Sequence, residues 1–599
     1  MYAPKDLSGA DYISLNINDT AAFARGTSQS LWRQWNQLSR FQRNIVYFAV
    51  ITVCLIIFYL VPSDTKTSTV LDTEIDQRVQ RDVPKHEKFI EELVVDNGEQ
   101  GGGAGGGEVI EEPEFQPEIN QIDDDQIGPP QPKPNVVKFN GPQNERQRAV
   151  VAAFSHSWKG YKKFAWGHDN LKPISASYSE WFGLGLTIVD ALDTMYIMGL
   201  NEEFAEARTW VEENLTFGVS KDVNLFEVTI RVLGGLLGAY HLSGDKIFLD
   251  KAIDLGDRLM PAFSTKSGVP FSDVNLGTRT AHSPKWGPDS STSEVTTIQL
   301  EFRDLSRVSG QPRFEAAAAK VSEHVHQLQK FDGLVPIFIN ANTGAFRESS
   351  TISFGARGDS YYEYLLKQWL QTGRTIDYLR DDYTTGIWGT KKHLVQYTAS
   401  EKYLFLAELT GSKKDMKPKM DHLVCFLGGT LALGVHNGLP SDHMKLAEEL
   451  VRTCYQTYAI QPTFLAPEIS YFNVQKPVLE DSNQLDMYVK SNDAHNLLRP
   501  EFLESLFYMW YFTGNKTYQD WGWQIFQGFE KYTKVEHGYT SIGNVRSTDN
   551  TRPRDMMESF WLSETLKYLY LLFDDSRQLI DLDKWIFNSE GHPLPVYDS

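Results

Sequence analysis

Gly355-Ala-Arg-Gly-Asp-Ser-Tyr-Tyr-Glu-Tyr-Leu-Leu-Lys-Gln-Trp369 decides how the chain is read. Two glycines flank an arginine, and a helical pattern follows. Asp359, Glu363, Leu366 and Leu370 recur at i, i+4, i+7 and i+11, which is one helical face. A carboxylate at the helix start thus lies in line with a stripe fit for burial, where the helix N-terminus favours an anion. Two readings stand on this stretch alone: a capping Asp, or a carboxylate held for chemistry.

The same arrangement recurs outward from it. Helical segments end in Ser-Gly or Thr-Gly pairs at Gly244, Gly310, Gly373, Gly411 and Gly514, each suited to a helix C-cap. An anchor such as Phe248, Phe314 or Tyr518 often follows. Gly244 to Gly310 and Gly310 to Gly373 are 66 and 63 residues. Repeated helical hairpins predict an all-α-dominated array, either an α/α toroid or a solenoid. Glu227, Asp359 and Glu501 lie 17, 14 and 13 residues before their turn glycines. First helices lining a barrel would bring all three acids to one rim. Pro500 before Glu501 fits a helix start. Three such carboxylates suit acid/base work; structural ion pairs are the alternative.

Composition narrows the class. The chain has 599 residues, a net charge of -20 and no basic face in its balance, which argues against nucleic acid. Three cysteines are too few for a disulfide scaffold. Residues 44–62 are uncharged and apolar around Ile45 to Val61, long enough to span a bilayer. Arg33, Arg40 and Arg43 precede them, so the reading is a type II signal anchor with residues 1–43 cytosolic and the remainder lumenal. Residues 63–145 form an acidic Gly/Pro-rich stem, with twelve acids and no Lys or Arg from Glu91 to Pro132. Residues 146–599 are the globular lumenal domain.

Within it, Glu227 and Arg231 make an i, i+4 pair in apolar surroundings, which reads as a partly buried ion pair. Glu501 and Glu504 share a helical face, where packed acids need a proton or a positive partner. Phe560 and Glu564 also share a face, as a sugar platform or as plain core. Cys425 and Cys454 are either a disulfide worth about 3 kcal/mol or two buried thiols. Asn214 and Asn515 open lumenal glycosylation sequons.

The longer blocks carry a resemblance. They are the opening stretch, Asp190-Ala-Leu-Asp-Thr-Met-Tyr-Ile-Met198, Asn224-Leu-Phe-Glu-Val-Thr-Ile-Arg231, Asp421-His-Leu-Val-Cys-Phe426, His495-Asn-Leu-Leu-Arg-Pro-Glu501, Glu558-Ser-Phe-Trp-Leu-Ser-Glu-Thr-Leu-Lys-Tyr568 and Phe587-Asn-Ser-Glu-Gly-His-Pro-Leu-Pro595. In this order they resemble glycoside hydrolase family 47, the class I α1,2-mannosidases, and its endoplasmic-reticulum type most. The resemblance implies an (α/α)7 barrel plugged by a C-terminal hairpin, a Ca²⁺ ion and inverting hydrolysis of high-mannose N-glycans, from nine mannoses to eight. It makes Glu227 the acid, Glu501 the base and Asp359 the third catalytic carboxylate. Arg231, Arg499, Glu504, Phe560, Glu564 and Glu590 match sugar-binding positions, and Cys425 with Cys454 the family disulfide. Arg357 matches the endoplasmic-reticulum type, where the Golgi type carries a smaller or apolar residue, and implies removal of chiefly one mannose. Ser589 stands where the family has a calcium-binding Thr; it keeps both hard oxygens and loses the methyl that stiffens the rotamer. Two other readings remain: a mannose-binding lectin on the same barrel, and a Golgi trimming enzyme of broader product range.

Overall fold

The computed structural model describes residues 137–597, except 286 and 476–485. The segments expected to be a cytosolic head (1–43), a signal anchor (44–62) and nearly all of the stem lie outside the described residues. Among the described residues, Leu225–Ser243 is the helical run long and apolar enough to cross a bilayer, and 89% of its apolar window is buried in protein. It is a core helix.

The labelled helices are α1 (Glu145–Phe164), α2 (Leu192–Met198), α3 (Asn201–Glu213), α4 (Gly234–Ser243), α5 (Lys246–Leu259), α6 (Gln299–Ser309) and α7 (Arg313–Gln327). They continue as α8 (Asp359–Gln371), α9 (Asp377–His393), α10 (Leu427–His436), α11 (Asp442–Ala459), α12 (Glu501–Thr513), α13 (Thr517–Tyr532) and α14 (Leu566–Leu572). Two kinds alternate. Odd-numbered helices are amphipathic: α5 buries Phe248, Leu249, Ala252, Leu255, Gly256 and Leu259, one stripe at helical spacing. Even-numbered ones are buried nearly all round; every residue of α14 and all but Asp359 in α8 are buried. A helix apolar on all sides needs neighbours on all sides. Each even helix finds them: α2 packs on α3, α4 on α5, α6 on α7, α8 on α9, α10 on α11, α12 on α13, and α14 on α1. Even helices also pack on one another in order from α2 to α14, and the turn Trp561–Thr565 leading into α14 packs back on α2.

Gly244, Gly310 and Gly514 cap α4, α6 and α12 in the left-handed conformation, as the sequence predicts. Phe248, Phe314 and Tyr518 are buried anchors on the following helices. Gly411 is a correction. It lies in the reversal between strands Glu408–Thr410 and Asp415–Lys417, because a Thr-Gly pair suits any turn with a left-handed residue. The α10–α11 turn uses Asn437 and Gly438 instead.

Short antiparallel strands decorate the connections. β1 (Lys419–Asp421), β2 (Ile469–Phe472) and β3 (Met487–Tyr488) form a three-stranded sheet. β4 (Trp585–Phe587) and β5 (Pro593–Pro595) form the C-terminal hairpin; β5 packs on α4 and α6, and β4 on α8. The tip, residues 588–592, is thereby carried among the even helices. Cys425 and Cys454 form a disulfide that ties the turn before α10 to α11.

Candidate active site

Each of three carboxylates sits on the first turn of a helix. Glu227 is in Leu225–Val228, where the Asn224 side chain accepts from the Glu227 amide at 3.0 Å. Asp359 opens α8 behind Gly358, whose added Cβ would meet the Ser353 carbonyl at 2.2 Å, so only glycine fits that approach. Its Oδ1 accepts from the Ser360 amide at 2.9 Å. Glu501 opens α12 after Pro500. All three keep part of their surface in solvent.

Their electrostatics differ. Burial pushes the Asp359 carboxyl up to about 7, with Glu363 and Glu501 adding repulsion. Burial opposes the Glu501 charge too, yet Arg499 and His422 outweigh it and hold its carboxyl below the usual glutamate range. His422 Nδ1 lies 2.7 Å from Glu501 Oε2, and its Nε2 lies 2.7 Å from the Tyr458 hydroxyl. Arg499 Nη1 donates to Glu501 at 3.3 Å and Nη2 donates to Glu468 at 3.0 Å.

Two guanidinium groups link the rim to an aromatic floor. Arg231 Nε donates to Glu227 Oε2 at 2.9 Å, while its Nη1 pairs with Glu590. Arg231 and Arg499 lie 5.6 and 5.8 Å from the centre of the Phe560 ring, within cation–π range. Trp181 is also 5.7 Å from Arg231. Arg231 and Glu564 each lie in a π-helical turn, Thr229–Leu233 and Trp561–Thr565. Such turns widen a helix by one residue and re-aim side chains, and they concentrate at functional sites.

A second layer of acids lies deeper. Glu363, Glu504, Glu564 and Glu590 are only 4%, 6%, 5% and 2% exposed. Lys367, fully buried on α8, donates to Glu363 at 2.5 Å and lies 3.5 Å from Glu504. Burial raises Glu504 to about 8 despite Lys367. It also holds Glu564 and Glu590 well above the usual range, with neighbouring acids adding to the effect at Glu564.

The hairpin tip enters this layer. Ser589 Oγ donates to Glu363 Oε2 at 3.0 Å, and its amide donates to the Tyr364 hydroxyl at 3.2 Å. Asn588 Nδ2 donates to the Ile230 carbonyl and to Glu301 at 2.9 and 2.8 Å. Buried His592 bridges Asp190 and Asp193, both at 3.1 Å, and Lys567 binds Asp193 at 2.8 Å. This ionic lattice fixes the tip.

The structure thus gathers Glu227, Asp359, Glu501, Arg231, Arg499, Glu504, Phe560, Glu564, Glu590 and Ser589. Arg357 stands two residues before Asp359 with φ +75°, its guanidinium 5.2 Å from the Phe338 ring. Asn214 and Asn515 lie apart on exposed helix boundaries. Sequence reasoning missed His422, Glu468 and Lys367. His422 adjoins Asp421, and Lys367 lies one turn after Glu363, but neither position by itself signals a partner far along the chain.

The sequence model of glycosyl hydrolase family 47 matches residues 153–596. The chain belongs to this family. It is 46% identical to the endoplasmic reticulum mannosyl-oligosaccharide 1,2-alpha-mannosidase of Rattus norvegicus, over 98% of both chains. The enzyme of the same name from Schizosaccharomyces pombe is 41% identical over 77% of this chain and 91% of its own. The solved alpha-1,2-mannosidase from Trichoderma reesei superposes with a TM-score of 0.70 at 29% identity, covering 76% of this chain and all of that one.

Proposed function

We propose that the protein is an endoplasmic-reticulum α1,2-mannosidase that trims terminal α1,2-linked mannose from high-mannose N-glycans in glycoprotein processing. The observation that carries this is the convergence of three helix-opening carboxylates on Phe560, Arg231 and Arg499 in a family 47 chain. The order of helix contacts supports an (α/α)7 barrel, even helices inside, plugged by the β4–β5 hairpin. With a type II anchor at residues 44–62 the domain is lumenal, where the Cys425–Cys454 disulfide is stable; the stem ends before Val137 and Phe139, which already pack on the core, and not at residue 145. Asn214 and Asn515 are its glycosylation sites.

Hydrolysis with inversion needs one carboxyl to protonate the leaving oxygen and one carboxylate to activate water. Glu501, held charged by Arg499 and His422, is the base. Glu227, by its family position, is the acid, and of the three helix-opening carboxyls it is Asp359 that burial raises to about 7. Pairs of acids pushed apart by their surroundings mark such roles. Phe560 and the two arginines hold the sugar ring.

The deep layer fits a Ca²⁺ ion. Ser589 offers a hydroxyl and a backbone carbonyl, both hard donors. Among the described residues no three His, Cys, Asp or Glu side chains group to hold a metal by themselves; Ser589, whose Oγ lies 3.0 Å from Glu363 Oε2, would hold the ion together with water. Four buried acids face two cations, Lys367 and Arg231, and a divalent ion would let the raised acids ionise. When bound, calcium supplies positive charge that orients sugar hydroxyls. The test is a timed digestion of nine-mannose glycan with and without EDTA. One eight-mannose isomer, lost on chelation, is expected; glycan binding without cleavage in excess Ca²⁺ would instead mark a lectin.

A further inference from the structure

One face of the β1–β2–β3 sheet has no part in the proposed chemistry. Strand alternation puts Phe472 and Met487 on the inner face, 2% and 3% exposed. Lys419, Tyr471 and Tyr488 line up across the three strands on the outer face. The two tyrosine rings stack, centroids 5.4 Å apart and planes 25° off parallel. Tyr471 is fixed: its hydroxyl donates to Asp493 Oδ2 at 2.9 Å, and the Lys490 ammonium lies 3.7 Å from its ring centre. Tyr488 is 43% exposed. An open aromatic ring therefore rests on a rigid buttress, Tyr471, which has a donor and an acceptor beside it.

This face runs into the catalytic edge. Asp421 shares it at the end of β1, and the next residue, His422, bonds Glu501. Glu468, the partner of Arg499, immediately precedes β2. Two residues along a strand and two strands across put Tyr488 roughly 12 Å from Asp421. A branched oligosaccharide covers that distance; its terminal sugar alone does not. Sugar rings present an apolar C–H face edged by hydroxyls, which suits an exposed aromatic ring flanked by polar groups. A net charge of -20 favours a neutral ligand over an acidic one.

We infer that Tyr488, buttressed by Tyr471, is a distal subsite for a second branch of the glycan whose terminal mannose occupies the active site. The inference rests on the mannosidase reading. Its test compares nine-mannose glycan with α1,2-linked mannobiose, using the detergent-solubilised full chain and its Tyr488→Ala and Tyr488→Trp variants. Tyr488→Ala should raise KM for the glycan about five-fold with kcat kept. The disaccharide, too short to reach Tyr488, should shift less than about two-fold, and Tyr488→Trp should restore the glycan KM. An unchanged glycan KM, or equal shifts for both substrates, overturns the subsite. A wild-type chain that cleaves neither substrate overturns the mannosidase reading before any variant is compared.

Discussion

The outer acids Glu227, Asp359 and Glu501 and the inner acids Glu363, Glu504, Glu564 and Glu590 occupy one site under different rules. Outer carboxylates open helices, keep contact with solvent and meet charged or hydrogen-bonding partners suited to each. Inner ones sit a turn deeper or on the hairpin tip, nearly dry, and share two cations among four groups. A partly exposed carboxylate at a helix N-terminus can exchange protons with substrate and water at little cost. A buried acid without enough positive charge keeps its proton or recruits a cation. On the proposed mechanism, the difference separates the groups that would react from those that would set the field around them.

Substitution in the outer layer should give the largest effect. Glu501→Gln keeps shape and removes the proposed base, so kcat on nine-mannose glycan should fall about 10³-fold. Thermal stability and glycan binding should change little. A kcat within ten-fold of wild type would break the division of labour between the layers.

The inner layer should answer to metal. Excess chelator should abolish turnover, and calcium should raise Tm by mass action on the folded state. Ser589→Ala should need about ten-fold more calcium for half of that rise, and Ser589→Thr should need less. Full activity in excess chelator would remove calcium from the mechanism.

Proton linkage gives a smaller effect with a definite sign. Burial raises Glu504 to about 8 and Glu301 and Asp359 to about 7, all above their unfolded values. The folded state then binds more protons than the unfolded state between those limits. These groups contribute stability that is present at pH 4 and lost as pH rises through 7 to 8. Without calcium, Tm should fall over that range, and Glu504→Gln should flatten part of the slope. A Tm that rises with pH would show that the deep acids are already ionised.

Much of this was legible in the chain itself. The opening stretch declares α8 and its acidic face, and Pro500 declares the start of α12. The turn glycines mark helix ends because a left-handed cap has few alternatives. Gly411 misled, since the same chemistry closes a β-hairpin. The two π-helical turns left no signal, because an extra residue in a helix breaks no periodicity strongly enough to see in one sequence. Nor did the pairings of His422 with Glu501 or Lys367 with Glu504, which depend on tertiary packing. The acids could be picked out; their division into layers required depth.

Arg357 offers the finest test of whether rim groups serve substrate more than fold. It holds φ +75° two residues before Asp359, a conformation glycine adopts freely and arginine does not. Such strain costs about 1 kcal/mol or somewhat more and persists where function needs the side chain. Arg357→Gly relieves it, keeps the carbonyl that accepts from the Ser293 amide, and adds about 0.5–1 kcal/mol of unfolded-chain entropy. The two terms nearly cancel, so stability should hold within about 1 kcal/mol. What changes is the guanidinium beside Phe338, and on the reading that this group selects one glycan branch, the product pattern should change with it. Resolved by isomer, digestion should yield more than one eight-mannose product and continue toward shorter glycans. If a single isomer still accumulates while Tm is unchanged, the strain at Arg357 serves the backbone, and branch choice lies elsewhere on the rim.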